Sequence, residues 1–352
     1  MHNFQIKAPT FGPRLKLIGH LRDGRRIGVI DSLLTRESSM ALCRGYLVPP
    51  DGSLEQAQKI VAKFSPYASD DRFLIKERNI LSKLPEVKGI PEMIGGGKAK
   101  ISFWGRDGRG DICKIQRESP FFIMPELPGK NLDGFSLTGW GETFPKRKDV
   151  ALLATKAFPA LAEVLADLHE NNVVHRDVKP NNVLFDGQGK GSLTLLDFER
   201  ANWLDAKKAR TDVGQFGFYP PELEFDKPEA EDVRTDVYAL GATIFAVLTG
   251  RWGILYNDME DPWFHFGLSC MFWGVEKIAK DYYGRISSLN SLSAGKLVAQ
   301  SNMPSELKQT ALGKYLGKLF HPDKHKRPRN MRKIAAQLRK LGGQLLTHEI
   351  WS

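Results

Sequence analysis

Apolar and polar residues alternate with two different periods along this chain, and the place where the period changes is its first structural signal. From about residue 27 to residue 125 the apolar positions come in short runs, "RRIGVIDSLL", "MALCRGYLV", "AQKIVAKF" and "SPFFIM". Such β-branched and aromatic runs predict strands. One helical stretch interrupts them: in "DDRFLIKERNILSKL" the residues Phe73, Glu77, Ile80, Leu81 and Leu84 fall on one face, with Asp70 or Asp71 placed to cap the first turn. Past Met124 the period is helical. "LAEVLADLHE" sets Leu161, Val164, Leu165 and Leu168 on one stripe, and "TDVYALGATIFAVLTG" is apolar nearly all round, which predicts a helix buried on every side. The switch falls at "MPELPGKNL", a connector with proline and glycine. The expected architecture is α+β and bilobal: a basic extension over 1–26, a small strand-rich lobe over 27–125, and a larger, mainly helical lobe over 126–348.

Some polar residues sit where this pattern should exclude them. Glu77 lies on the apolar stripe of its helix, and Lys63 lies inside the apolar run "IVAKF". A charge desolvated alone is costly, so the economical solution is that the two pair across strand and helix. "HRDVKPNN", residues 175–182, suits no strand interior and contains Pro180, so it is expected as a tightly held loop carrying Asp177, Lys179 and Asn182. The following "VLFDGQGKGSLTLLDFER" reads as a hairpin, "NVLF" and "LTLLDF" joined by "DGQGKG", which returns Asp197 to the side of Asn182. A carboxylate and an amide oxygen converging there are hard ligands suited to Mg²⁺.

Composition adds bounds. The 352 residues are 41% hydrophobic and 10% aromatic, enough for a substantial core. Cys43, Cys113 and Cys270 are far apart and lack metal-ligand spacing, which argues against a disulfide framework or zinc site and fits a reducing compartment. No long apolar run and no apolar signal core at the start are present, so the chain reads as soluble, intracellular and cytoplasmic. The net charge of +10 has a bland explanation. In "MRKIAAQLRKL" the residues Ile334, Leu338 and Leu341 recur at helical spacing, which makes the basic residues the solvated side of a packed helix, and a nucleic-acid partner is not expected.

Taken in chain order, these motifs resemble the landmarks of the eukaryotic-type (Hanks-type) serine/threonine protein kinases. "HRDVKPNNVLF" and "LLDFER" resemble the catalytic loop and metal-binding segment, "VAK" the nucleotide-binding lysine strand, and "KERNIL" the helix of its glutamate partner. "FFIMPELPGKNL" resembles the hinge, "GQFGFYPPE" the segment ending in Ala-Pro-Glu, "RTDVYALGATIFAVLTG" the central helix, and "HPDKHKRP" the closing motif. The resemblance covers roughly residues 27–341. It implies a bilobal kinase fold that uses ATP and Mg²⁺ to phosphorylate a serine or threonine of a protein substrate.

Residue by residue, the resemblance implies that Asp177 accepts the substrate hydroxyl proton and that Lys179 steadies the transferring phosphate. Asn182 and Asp197 would hold Mg²⁺, and Lys63, oriented by Glu77, would grip the α- and β-phosphates. Leu42, Ala62, Met124, Pro125, Leu127, Asn131 and Leu184 would line the nucleotide pocket, with adenine on the backbone of Pro125 and Leu127. Arg327 would pair with Glu222, and Thr211 would be an activating phosphosite.

Departures from the family pattern bear on the strength of nucleotide binding. The stretch "LLTRESSMALCRG" stands where a glycine-rich loop is usual, yet it has no glycine between Leu34 and Gly45. Glycine there lets backbone N–H groups come close to phosphates. Glu199 replaces the glycine of Asp-Phe-Gly, and Gln215 stands where a threonine is usual. A pseudokinase acting as a scaffold or allosteric module is the alternative that the missing glycines raise. A small-molecule phosphotransferase is a weaker one, since such relatives usually lack the Pro-Pro-Glu segment that "YPPE" supplies. The insert 97–120 is expected to extend a hairpin, and the aromatic-rich stretch 254–283 to fill a core.

Overall fold

The computed structural model describes residues 15–35, 40–53, 55–106, 112–135, 150, 152–187, 192–206, 217–224, 232–250, 284, 289–301 and 303–347. The chain forms two compact units, the first comprising Met1–Leu84 and Pro91–Leu127 and the second Pro85–Ile90 and Pro128–Ser352.

The first unit is built on an antiparallel sheet of β1 (Leu15–His20), β2 (Arg26–Thr35), β3 (Ala41–Val48), β4 (Gln58–Phe64), β5 (Gly95–Arg106) and β6 (Ile112–Pro125). Their order is β1-β2-β3-β4-β6-β5. The predicted strand runs are β2, β3, β4 and the end of β6. Ile27, Leu47, Ile60, Ala62, Phe64 and Ile123 join in its core, and the rings of Phe64 and Phe121 stack with centroids 5.6 Å apart. Strand β1 lies inside the first 26 residues, which were expected as an extension; it joins the sheet through a tight turn at Asp23-Gly24. Gly24 takes φ +85° there, and the Asp23 carboxylate accepts from the Arg25 N–H at 3.1 Å, the usual chemistry of a short hairpin. Gly45 is required by close approach: a Cβ on it would stand 2.3 Å from the Gly28 carbonyl oxygen of β2.

Helix α1 (Asp71–Lys83) buries Leu74, Glu77, Ile80 and Leu81. Glu77, Ile80 and Leu81 lie on the buried face as predicted, whereas Phe73 and Leu84 are only half-buried and Leu74 is the buried residue of the first turn. Asp70 occupies the capping position without a side-chain capping bond. The insert 97–120 does extend a hairpin: β5 and β6 pair from Gly95↔Ile123 to Arg106↔Ile112, whereas β4 reaches only Phe121–Pro125 of β6.

The second unit is mainly helical: α2 (Phe158–Glu170), entered through a π-helical turn at Leu153–Ala157, then α3 (Pro221–Glu224), α4 (Arg234–Thr249), α5 (Ala294–Gln300), α6 (Ser305–Gln309), α7 (Ala311–Leu319) and α8 (Met331–Thr347). Helix α4 is buried from Thr235 to Thr249, as its apolar sequence predicted. Helix α8 buries Ile334, Leu338 and Leu341. Its basic residues Arg332, Lys333, Arg339 and Lys340 are exposed, as expected, and two of them also meet acidic residues of α2. Arg332 reaches both Asp167 and Glu170, and Arg339 reaches Glu163 at 2.5 Å. Short strands complete the unit: β7 (Lys130–Asn131), β9 (Val183–Phe185) and β10 (Leu193–Leu195) form one sheet, and β8 (Val173–Val174) pairs with β11 (Asn202–Trp203). Among the described residues no helix is long and apolar enough to cross a membrane. The stretch 254–283, expected in a core, lies outside the described residues.

Candidate active site

In the second unit, the loop His175–Asn182 leaves β8 and ends in a 3-10 turn, Pro180–Asn182, that runs straight into β9. Its backbone N–H groups have no strand to pair with, and buried donors need partners. Asp236 of α4, 0% exposed, supplies them: its carboxylate accepts from the N–H of His175 and of Arg176, both at 2.9 Å, and lies 2.8 Å from His169 Nε2. Burial alone would raise the Asp236 carboxyl, but the bond from His169 and the nearby histidines outweigh it and hold it below the ordinary value. The motif reading missed Asp236, although a lone carboxylate in a wholly apolar helix was the signal for it.

Asp177 is 2% exposed. Its Oδ2 accepts from Lys179 Nζ at 2.9 Å and from Asn182 Nδ2 at 3.1 Å, and its N–H donates to His175 Nδ1 at 3.4 Å. His175 Nε2 lies 3.0 Å from the Leu196 carbonyl, so the ring is neutral with its proton on Nε2. Burial pushes the His175 imidazolium pKa down, against the pull of nearby carboxylates. Arg200 Nε stands 3.9 Å from Asp177 Oδ2 and 3.9 Å from Glu199 Oε1. It is a cation that no motif pointed to.

The predicted hairpin is present. Val183 of β9 faces Leu195 of β10, and the Leu196 N–H donates to the Asn182 carbonyl at 2.7 Å, so Asp197 follows directly beside Asn182. Asn182 Nδ2 also donates to the Asp177 carbonyl at 2.9 Å. With that nitrogen turned to Asp177, the side-chain oxygen of Asn182 is the group left to meet a cation. Among the described residues no cluster of three or more His, Cys, Asp and Glu could hold a metal. One amide oxygen and one carboxylate fit Mg²⁺, which takes few protein ligands and completes its shell with water and substrate phosphate. Asp197 has φ +67°, a left-handed conformation that a non-glycine residue keeps only when its surroundings enforce it. Glu199 is not among the residues with positive φ, so the side chain standing at the family's glycine position strains nothing there. Phe198 is buried edge-on against His175, with centroids 4.8 Å apart.

Elsewhere in this unit Arg327 grips Glu222 bidentately, at 2.7 Å and 2.8 Å. It lies over the ring of Tyr238, 5.0 Å from the centroid, and burial pushes the phenol of that tyrosine well above its ordinary pKa. In the first unit Lys63 Nζ meets Glu77 Oε2 at 2.7 Å, with side chains 6% and 3% exposed. The pair predicted from two misplaced charges is therefore formed. Of the expected nucleotide-lining residues, Leu42 sits opposite Lys63 in the β3–β4 ladder, Ala62 and Met124 lie on the adjacent strands β4 and β6, and Pro125 ends β6. Leu127 closes the first unit, and Asn131 faces Leu184 across β7 and β9 of the second. Residues 36–39 of the glycine-free loop, Thr211 and Gln215 lie outside the described residues.

The model of the protein kinase domain matches residues 141–337, more than half of the chain. Among curated proteins, one of Dictyostelium discoideum named "Probable serine/threonine-protein kinase" is 31% identical over 207 residues, 57% of this chain and 37% of its own length. The serine/threonine-protein kinase PrkC of Bacillus subtilis is 29% identical over 134 residues, 37% of this chain and 19% of its own. A dual specificity mitogen-activated protein kinase kinase of Caenorhabditis elegans is 33% identical over 93 residues, 26% of this chain and 21% of its own. The chain thus spans well under half the length of these relatives. The matched segment contains the Asp177 loop, the β9–β10 hairpin and the Glu222–Arg327 pair, and by it the chain belongs to the protein kinase family.

Proposed function

We propose that this protein transfers the γ-phosphate of ATP to a serine or threonine hydroxyl of a protein substrate. The observation that carries this reading is Asp177: a buried carboxylate held at 2.9 Å by Lys179 and at 3.1 Å by Asn182, on a loop whose backbone is pinned from beneath by Asp236. As the acceptor oxygen bonds to the γ-phosphorus and the bond to the β-phosphate oxygen breaks, the hydroxyl proton passes to Asp177 and ADP leaves. Lys179 stands beside the transferring group and offsets its charge. Lys63, paired with Glu77 at 2.7 Å, takes the α- and β-phosphates. Asn182 and Asp197 would hold Mg²⁺, which when bound supplies positive charge against the phosphate oxygens. The adenine roles of Leu42, Ala62, Met124, Pro125, Leu127, Asn131 and Leu184 belong to the same reading. Phosphoryl transfer needs little covalent help, so positioned charge is most of what such a site contributes.

Lys179 at its position resembles the serine/threonine branch of the family, the tyrosine branch lacking a lysine there, and relatives are named as serine/threonine kinases. The dual specificity relative makes tyrosine a class to test as well. The experiment is incubation of native protein and Asp177→Asn with γ-labelled ATP, Mg²⁺ and a mixed protein acceptor, followed by phosphoamino-acid analysis. Native protein should label serine or threonine, and Asp177→Asn should lose at least about a hundredfold in rate. Equal rates would remove Asp177 from its role, label on tyrosine alone would refute the acceptor class, and an inert native chain would favour a non-catalytic module.

A further inference from the structure

Glu77 can hold Lys63 only while helix α1 keeps its place. Both charges are buried, so a shift of the helix would break a buried ion pair, which is costly. What fixes the helix at its first turn is therefore a functional question. Asp70 makes no capping bond there. Asp71, the first residue of the helix, is instead held from the sheet: Arg117 Nη2 meets Asp71 Oδ2 at 2.5 Å, while Nη1 of the same guanidinium donates to the Ser65 carbonyl at 2.8 Å. One rigid fork thus ties the helix start to the chain leaving β4, a geometry that only arginine provides. Beside it, Ser119 Oγ donates to the Ser65 carbonyl at 2.8 Å and accepts from the Ser65 N–H at 3.2 Å. Asp71 Oδ1 is buried without a hydrogen-bond partner, so the carboxylate depends on Arg117 for compensation.

Arg117 and Ser119 belong to the part of β6 that runs past the end of β4 and pairs only with β5. We propose that the extended β5–β6 hairpin is an internal brace for helix α1, and that Arg117 is a positioning residue that keeps Glu77 on Lys63. The Arg117–Asp71 contact lies within the first turn, and Glu77 lies about 9 Å farther along the axis at 1.5 Å per residue, so holding the first turn limits the tilt that would draw Glu77 away. This inference rests on the proposed role of Lys63 in holding the ATP phosphates.

The test compares native protein, Arg117→Met and Arg117→Lys in two measurements. Amide hydrogen exchange over residues 71–83 reads the brace without nucleotide, and steady-state transfer with Mg-ATP reads its consequence. Exchange in α1 should quicken roughly tenfold or more in Arg117→Met and less in Arg117→Lys. The KM for ATP should rise by about threefold to tenfold while the KM for the protein acceptor stays unchanged, a split that general loss of stability would not produce. Unchanged exchange in Arg117→Met overturns the brace. Faster exchange with unchanged KM and kcat overturns the link to Lys63. If the native chain transfers no phosphate, the kinase reading falls instead, and exchange in α1 still decides the brace. Should Arg117→Met lose its cooperative melting, Asp71→Asn gives the same comparison from the other partner.

Discussion

Asp236 organises the loop that carries Asp177 because its carboxylate accepts from the backbone N–H groups of both His175 and Arg176. Removing it takes away the carboxylate to which those N–H groups and His169 bond. Asp236→Ala should therefore lose about 3–5 kcal/mol of stability, read as a lower urea midpoint. An unchanged midpoint would mean that water replaces the carboxylate at no cost. The same cluster predicts acid sensitivity. The His175 pKa is lowered by burial from an ordinary 6.5, so below that pH the unfolded chain binds a proton that the folded chain refuses, and stability falls as pH falls. The Asp236 pKa is lowered from 3.8, so its contribution is present above that pH and is lost as pH falls further. The midpoint should drop between pH 7.5 and 5.5, and His175→Gln, which does not titrate, should flatten that fall. An equally steep profile in the variant would place the proton elsewhere.

Strands and helices were legible where a short period decides them, and misread where contact with another element decides. The runs that became β2, β3 and β4 alternate by themselves, whereas the burial of Leu74 instead of Phe73 in the first turn of α1 depended on which residue the sheet would cover. Strand β1 is legible in principle, from "RDGR" between two apolar stretches, although the first 26 residues are basic enough to read as an extension. The segment between β2 and β3 has no glycine in its sequence, and glycine is what lets a backbone approach phosphates closely; on the proposed reading, Thr35→Gly with Glu37→Gly should tighten Mg-ATP binding by roughly threefold to tenfold, on the order of 1 kcal/mol. Met40, the next residue toward β3, is 1% exposed and is left intact, since glycine there would open a cavity. Calorimetric titration decides, and equal affinities would show that the loop's composition does not matter.

For the whole molecule, a ligand that binds only the folded state stabilises it by mass action. Mg-ATP at about a hundredfold over its Kd should contribute about 2.7 kcal/mol and raise the melting temperature by several degrees. Asp197→Ala should lose the Mg²⁺-dependent part of that rise while still melting cooperatively; a Mg²⁺ effect of native size in the variant would remove Asp197 from the metal site. The order of segments, the loop around Asp177, the return of Asp197 to Asn182 and the need of Lys63 for Glu77 were all determined by sequence alone. Each is written in spacing of a few residues, in a tight hairpin, or in a charge that cannot be buried unpaired. The fork of Arg117 on Asp71 and Ser65, the seating of α8 on the acidic face of α2 and the grip of Asp236 on the loop were decided only by tertiary structure. In those cases the partners lie far apart along the chain, and no local period encodes which distant strand or helix will arrive beside them.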